Sequence, residues 1–196
     1  MVATAIEKRH QSNGLIVDVG CGTGNLWGFV QKYFDRYVGV DVNRFDGFPS
    51  DGEFLELDLD TGKAPLSDNF ADIVVAVETI EHLENPRALF RELIRICKPD
   101  GWVIVTTPNQ LSFLSKLTLL LKNQFNAFTD PCYPAHITAL LEIDLLRIAR
   151  ECSLEELQVY FSEHGRIPGS GRHFPKWLSY LWPRTFSDNL LIVGRK

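Results

Sequence analysis

Between positions 17 and 26 the chain reads Val17-Asp18-Val19-Gly20-Cys21-Gly22-Thr23-Gly24-Asn25-Leu26. Three glycines at alternate positions let the main chain turn sharply and let a ligand lie against it with no β-carbon in the way. A helix starting there would offer free N–H groups. Acids follow at intervals. Asp41 stands seventeen residues beyond Gly24, in Val38-Gly39-Val40-Asp41, and Asp58 closes the next apolar stretch. A denser group comes later: Glu78-x-x-Glu81-His82 places two carboxylates and an imidazole on one turn, and His136 follows a greasy segment in Pro134-Ala135-His136-Ile137-Thr138.

Three ligand classes use a glycine turn of this kind. A dinucleotide site wants G-x-G-x-x-G, with pyrophosphate on the helix N-terminus, and here Asn25 stands where the last of those glycines belongs. A P-loop needs G-x-x-x-x-G-K followed by Ser or Thr, which is absent. The third candidate is S-adenosylmethionine (SAM), which brings no phosphate, carries a positive sulfonium and suits acidic neighbours. An acid at Asp41 could accept hydrogen bonds from both ribose hydroxyls as a charged partner. Asp58 could reach the adenine amino group. Asp18, Asp41 and Asp58 would then line one edge of a sheet.

The elements that must position these groups alternate. Leu15 to Val19, Tyr37 to Val42, Glu53 to Leu59, Ile73 to Val77 and Trp102 to Thr107 read as strands, Ile73 to Val77 as a central one. Asn25 to Phe34 reads as a helix whose apolar face carries Leu26, Trp27, Phe29, Val30 and Phe34. Asn85-Pro86 is an N-cap with proline at the first helical position, ahead of the stripe Leu89, Phe90, Leu93, Ile94 and Cys97. Lys98-Pro99-Asp100-Gly101 is a turn. Strand, helix, strand in this order implies crossover connections and a mostly parallel sheet with helices on both faces. After a short helix at Leu111 to Leu121, the tail holds a helix at Glu142 to Glu151 and strands at Glu156 to Phe161 and Asn189 to Gly194, the last two as a close antiparallel pair.

Length and composition set outer bounds. At 196 residues, 45% hydrophobic and 23% charged, the chain fits one domain able to bury a core without disulfides or a structural metal. We expect residues 1–196 to form that single domain, with an insert at about 108–140 acting as a lid. A formal net charge of −5 argues against broad nucleic-acid binding. No signal-peptide pattern and no run of ~18 apolar residues is seen, and Cys21, Cys97, Cys132 and Cys152 lack C-x-x-C spacing, so the expectation is a cytoplasmic protein with reduced thiols.

Here the chain resembles a known family. D-V-G-C-G-T-G-N, then G-V-D, then the strand bearing Asp58, then F-A-D-I-V-V-A-V-E-T-I-E-H-L-E-N-P and K-P-D-G-W-V-I-V-T-T-P-N are similar to the class I SAM-dependent methyltransferases, nearest the ubiquinone-biosynthesis O-methyltransferase group. The resemblance is strong over about residues 14–109 and weaker beyond. It implies a Rossmann-like α/β fold, a seven-stranded, mostly parallel sheet with one antiparallel strand near its end. It also implies that Asp18, Gly20, Cys21, Gly22 and Gly24 cradle the methionine part of SAM. Asp41, with Val42 beside it, would hold the ribose, and Asp58 and Leu59 would contact adenine. Val77, Glu78 and Thr79 would border the sulfonium and the acceptor.

Transfer of an activated methyl depends largely on positioning. A hydroxyl acceptor also calls for a base, and His136 and His82 are the two candidates. His82 has the plainer alternative of bonding a loop. A metal-free site is the main expectation. The alternative is a divalent ion held by Glu78, Glu81, His82 and His136, which would draw the acceptor hydroxyl toward its alkoxide. That set resembles the metal pattern of small-RNA 2′-O-methyltransferases and of some ubiquinone-pathway relatives, although the same string is common in metal-free members. Without a metal, Glu81 and Glu84 would be exposed acids near a helix start. Phe174, Trp177, Tyr180, Trp182, Phe186 and the greasy insert would form a lid packed on the core, or else cover an apolar acceptor or rest on a membrane surface. Arg166, Arg172 and Arg184 could meet an anionic substrate. The leading expectation is methyl transfer to a small, possibly apolar acceptor through a hydroxyl. Its rivals are RNA 2′-hydroxyl methylation, a SAM-binding regulator without turnover and a nicotinamide oxidoreductase.

Overall fold

Seven strands join in one sheet in the computed structural model, which describes residues 1–10 and 13–196. They are β1 (Leu15–Val19), β2 (Arg36–Asp41), β3 (Glu53–Glu56), β4 (Ala71–Val77), β5 (Cys97–Pro108), β6 (Glu155–Phe161) and β7 (Asn189–Arg195), in the order β3-β2-β1-β4-β5-β7-β6. The pairs among β1 to β5 are parallel, and β7 runs antiparallel to both β5 and β6. The strand order reverses between β1 and β4, which is where open α/β sheets take ligands beyond their carboxyl ends.

Side-chain alternation divides the core between the two faces. Ile16, Ile73, Val75, Ile104 and Leu191 pack with Ile6 of α1 (Val2–Glu7) and with Trp27 and Val30 of α2 (Trp27–Val30). Val17, Val38, Val74, Val103 and Ile192 pack with Leu89, Phe90 and Leu93 of α3 (Pro86–Ile96) and with Leu145 and Ile148 of α5 (Glu142–Glu151). Full burial of each such side chain contributes about 1.5–3 kcal/mol. The α3 cap forms as its residues require: the Asn85 side chain accepts the Ala88 N–H at 3.0 Å, and Pro86 has no N–H to leave unpaired.

Several boundaries differ from the sequence reading, each for a local reason. The helix expected over Asn25 to Phe34 is the single α-turn of α2 followed by a 3-10 turn at Gln31–Tyr33, and Phe29 points to solvent. The third strand stops at Glu56, because Asp58 turns the chain by accepting the N–H of Asp60. Lys98 to Gly101 bulges out within β5 instead of preceding it: Ala71 pairs with Cys97 and Ile73 with Trp102, while Asp100 takes a φ of 64°. A Cβ on Gly101 would lie 2.7 Å from the Asp72 carbonyl, so glycine is needed there. Helix α1 was not anticipated. The insert contributes α4 (Phe113–Lys122), started by Ser112 accepting the Ser115 N–H and ended by Asn123 at φ 57°. A last helix, α6 (Lys176–Leu181), precedes β7.

Candidate active site

The glycine turn lies beyond the carboxyl end of β1. A Cβ on Gly20 would meet Thr79 Oγ1 at 2.3 Å, so this glycine permits contact between the β1 and β4 loops. Gly22, at φ 52°, has open space on its Cβ side and faces a cavity. Its N–H donates to Asp41 Oδ2 at 2.8 Å, while Asp41 Oδ1 accepts the Val42 N–H at 2.7 Å. The cavity, about 540 Å³, is lined by Gly20, Gly22, Asp41, Val42, Asp58, Leu59, Glu78 and Thr79. These are eight of the residues expected to hold SAM. Phe45, Leu57, Asp60, His82 and Leu83 complete the lining.

Asp18 lies beneath this cavity and not on its wall. It is 2% exposed; Tyr37 donates its hydroxyl to Oδ2 at 2.9 Å, and Oδ1 has no partner. Burial pushes its carboxyl up to about 7. The folded chain therefore holds this proton more tightly than the unfolded chain does. The stabilisation is complete below about 3.8 and is lost as pH rises to about 7. Asp18→Asn keeps an acceptor for Tyr37 and has no charge to bury. We expect it to raise the melting temperature of the ligand-free protein by about 5 °C at pH 8, with little change at pH 4. Equal shifts at both pH values would mean that the Asp18 carboxyl is not the titrating group.

Glu78, just beyond β4, adopts φ 51°, a conformation uncommon outside glycine. Thr106 donates to its Oε1 at 2.7 Å and Asn189 to its Oε2 at 2.5 Å, so the ends of β5 and β7 hold the carboxylate. Burial raises its pKa, offset in part by these bonds and by the charge of His136 and His82. Glu78 also lines a second cavity of about 310 Å³, with a polar wall that includes Asn109, Gln110, Arg166, Asp188, Asn189 and His136. Glu78 is therefore a wall residue common to both cavities.

Glu81, His82 and His136 each bring a ligating atom within 4.8 Å of the others. Glu81 is not the exposed acid expected of a metal-free turn. It is fully buried, with Oε2 accepting from Thr107 at 3.1 Å and Oε1 without a partner. Burial, and then the neighbouring Glu78, push its pKa up to about 8. Nδ1 of His82 lies 2.7 Å from the Ala135 carbonyl and Nδ1 of His136 lies 2.6 Å from the Ala127 carbonyl. A carbonyl only accepts, so both Nδ1 atoms donate, and in the neutral form of either ring Nε2 presents the lone pair. The two rings meet edge to face with centroids 4.7 Å apart.

A family model described as a methyltransferase domain matches residues 2–165. The chain belongs to the class I SAM-dependent methyltransferases. It is 28% identical over 159 residues to a Mycolicibacterium smegmatis protein named as a probable S-adenosylmethionine-dependent methyltransferase, covering 76% of this chain and 60% of that one. It is 27% identical over 128 residues to the mitochondrial ubiquinone biosynthesis O-methyltransferase of Dictyostelium discoideum, covering 56% of this chain and 40% of that one. A crystal structure of a SAM-dependent methyltransferase from Archaeoglobus fulgidus superposes with a TM-score of 0.69 at 16% identity, over 100% of this chain and 93% of that one. The chain thus spans 60% or less of these two named relatives' lengths. Family and fold use SAM as methyl donor.

The lining of the first cavity has features that suit that donor. Gly22 leaves an open face for it, Asp41 is oriented by two main-chain N–H groups, and acids predominate among the charged groups of the wall. Four residues expected to hold SAM do not line the cavity. Asp18 is buried below it, Cys21 packs behind Gly39, Gly24 fits against Pro49 and Val77 sits within β4. Of the arginines, Arg166 reaches the second cavity and donates to Asp188 at 3.0 Å. Arg184 pairs with Glu142 instead. Thr106, Asn109, Gln110, Asp188 and Asn189 were not singled out one by one from sequence. The run Thr106-Thr107-Pro108-Asn109-Gln110 at the end of a central strand was the available signal.

Proposed function

We propose that this chain transfers the methyl group of SAM to a hydroxyl of an acceptor whose reacting end is small and polar. The observation that carries this reading is that Glu78 belongs to the walls of both cavities, with His82 lining one and His136 the other. When bound in the first cavity, SAM supplies an activated methyl carbon. Asp41 would hold the ribose, with Val42 beside it, and Asp58 and Leu59 would border the adenine. The second cavity would orient the acceptor through Asn109, Gln110 and Asn189, and its polar wall favours a polar reacting group over an apolar one. His136, its Nδ1 proton engaged by a carbonyl, would take the hydroxyl proton at Nε2. Residues 108–140 would serve as the lid of the acceptor cavity.

A second reading is favoured by the clustering of Glu81, His82 and His136. A divalent ion fits an unpartnered buried carboxylate oxygen and two imidazoles whose other nitrogens are fixed by carbonyls. It would lower the pKa of the acceptor hydroxyl. Calorimetric titration with SAM, S-adenosylhomocysteine and NADH tests the donor assignment: binding of the first two and not the third is expected. Absence of SAM binding would remove the proposal. Activity that survives a chelator, in protein free of divalent ions, would remove the metal reading and leave the base. SAM binding with no turnover of any hydroxyl acceptor would favour the regulator.

A further inference from the structure

Asp188 occupies only part of the Arg166 side chain. The Arg166 N–H donates to both Asp188 carboxylate oxygens, at 3.2 and 3.1 Å, and Nε donates to Oδ2 at 3.0 Å. Asp188 stands just before β7 and is itself fixed. Its N–H donates to the His164 carbonyl at 2.8 Å, and its carbonyl accepts the Asn109 N–H at 2.7 Å. The loop bearing Arg166 closes on itself: the Ile167 N–H donates to the Arg172 carbonyl and the Phe174 N–H to the Gly165 carbonyl. A Cβ on Gly165 would lie 2.5 Å from the Phe186 carbonyl, so glycine lets this loop pack directly on main chain. Arg166 is therefore positioned by backbone contacts and not by its guanidinium alone.

Nη1 and Nη2 of Arg166 have no protein partner among the described residues. They belong to a half-exposed side chain in the wall of the second cavity, which also holds Glu78, Asn189 and His136. The two carboxylates of that wall are already supplied with donors. Glu78 accepts from Thr106 and Asn189, and Asp188 accepts from the N–H and Nε of Arg166. A guanidinium whose Nε is engaged still offers its two Nη atoms as a fork. Such a fork matches two oxygens carried on one atom, as in a carboxylate or a phosphate, and the charge strengthens both bonds. At about 310 Å³ the cavity is near the lower end for small-molecule sites. A group held by Arg166 and a hydroxyl offered to His136 would then belong to one compact molecule.

We infer that Arg166 selects an acceptor that carries an oxyanion, a carboxylate or a phosphate, besides the hydroxyl that is methylated. Arg166 sets specificity and takes no part in the transfer. The oxyanion site stands on the wall of the second cavity alone. Its part in choosing an acceptor rests on the methyl-transfer reading.

The test uses the full chain without SAM and pairs of small molecules that differ in charge: salicylate with salicylamide, glucuronate with glucose, and glucose 6-phosphate with glucose. Affinities are read by ligand-observed NMR titration. The anionic member of at least one pair is expected to bind about tenfold more tightly or better. Preference within the acid pairs assigns a carboxylate, and preference within the phosphate pair alone assigns a phosphate. Arg166→Gln should remove the preference. Arg166→Lys can keep an ion pair with Asp188 but has no fork, and should lose most of it. Arg172→Gln, at an exposed arginine of the same loop outside the cavity wall, should keep it whole. No preference in any pair would overturn the proposal. So would a preference that survives in Arg166→Gln or is undiminished in Arg166→Lys, or one that Arg172→Gln removes equally. S-adenosylhomocysteine is titrated separately into the same protein. Its failure to bind would remove the methyl-transfer reading and leave the oxyanion preference to be judged by itself.

Discussion

His136→Ala is expected to lower turnover by about 10²–10⁴-fold while leaving SAM affinity within a factor of about three. The asymmetry follows from where the side chain sits. His136 lines the second cavity and is absent from the wall of the first. Its Nδ1 is tied to the Ala127 carbonyl at 2.6 Å, which commits the proton to that nitrogen and leaves Nε2 as the basic atom. A variant that kept its rate would exclude His136 both as the base and as a metal ligand. One that lost SAM affinity would show that the ring supports the donor cavity, an effect its contact with His82 could carry. His136→Gln adds a further comparison, since an amide could keep a bond to the Ala127 carbonyl but cannot accept a proton near neutral pH. A rate rescued by glutamine would therefore mean that orientation, and not basicity, is what His136 supplies.

Much of the wall of the first cavity was legible in the sequence because its requirements are local. Gly20 leaves room for Thr79 and Gly22 leaves an open face on the cavity, and the acids Asp41 and Asp58 stand beyond the carboxyl ends of their strands, where open sheets take ligands. The parallel sheet followed from continuous apolar runs separated by helical stripes. The wall of the second cavity was harder to read because it is assembled from distant segments. Glu78 is held by Thr106 and by Asn189, which stands 111 residues away along the chain, and no spacing rule links them. Glu81 was misjudged for the same reason. Its own neighbours suggest a solvated turn, but Ile137 and Thr138 donate their N–H groups to its carbonyl, and the strand carrying Thr107 covers its carboxyl. The alternation around α4 and α6 did not show which side faces water. That depended on how Phe113, Phe174 and Phe186 met.

Asp41→Ala should weaken SAM binding by about 100-fold or more, since hydrogen bonds to a charged acceptor are worth about 1.5–3 kcal/mol each and two ribose hydroxyls would lose theirs. The carboxylate also acts on the loop. It accepts the Gly22 N–H at 2.8 Å and so helps hold a residue at φ 52° whose open side faces the donor cavity. Alanine removes both contributions, and Asp41→Asn separates them. The amide oxygen can still accept from Gly22, so asparagine should keep the loop but lose the charge-assisted bonds to the ribose. We expect a loss of about tenfold for asparagine, against the larger loss for alanine, measured by calorimetry on protein whose melting curve is unchanged. Equal losses would assign the whole effect to the ribose contact. A loss in alanine alone would assign it to the loop. Unchanged affinity in both would remove Asp41 from the donor site, and with it the reason for reading the acid at the end of β2 as the group that selects a nucleoside.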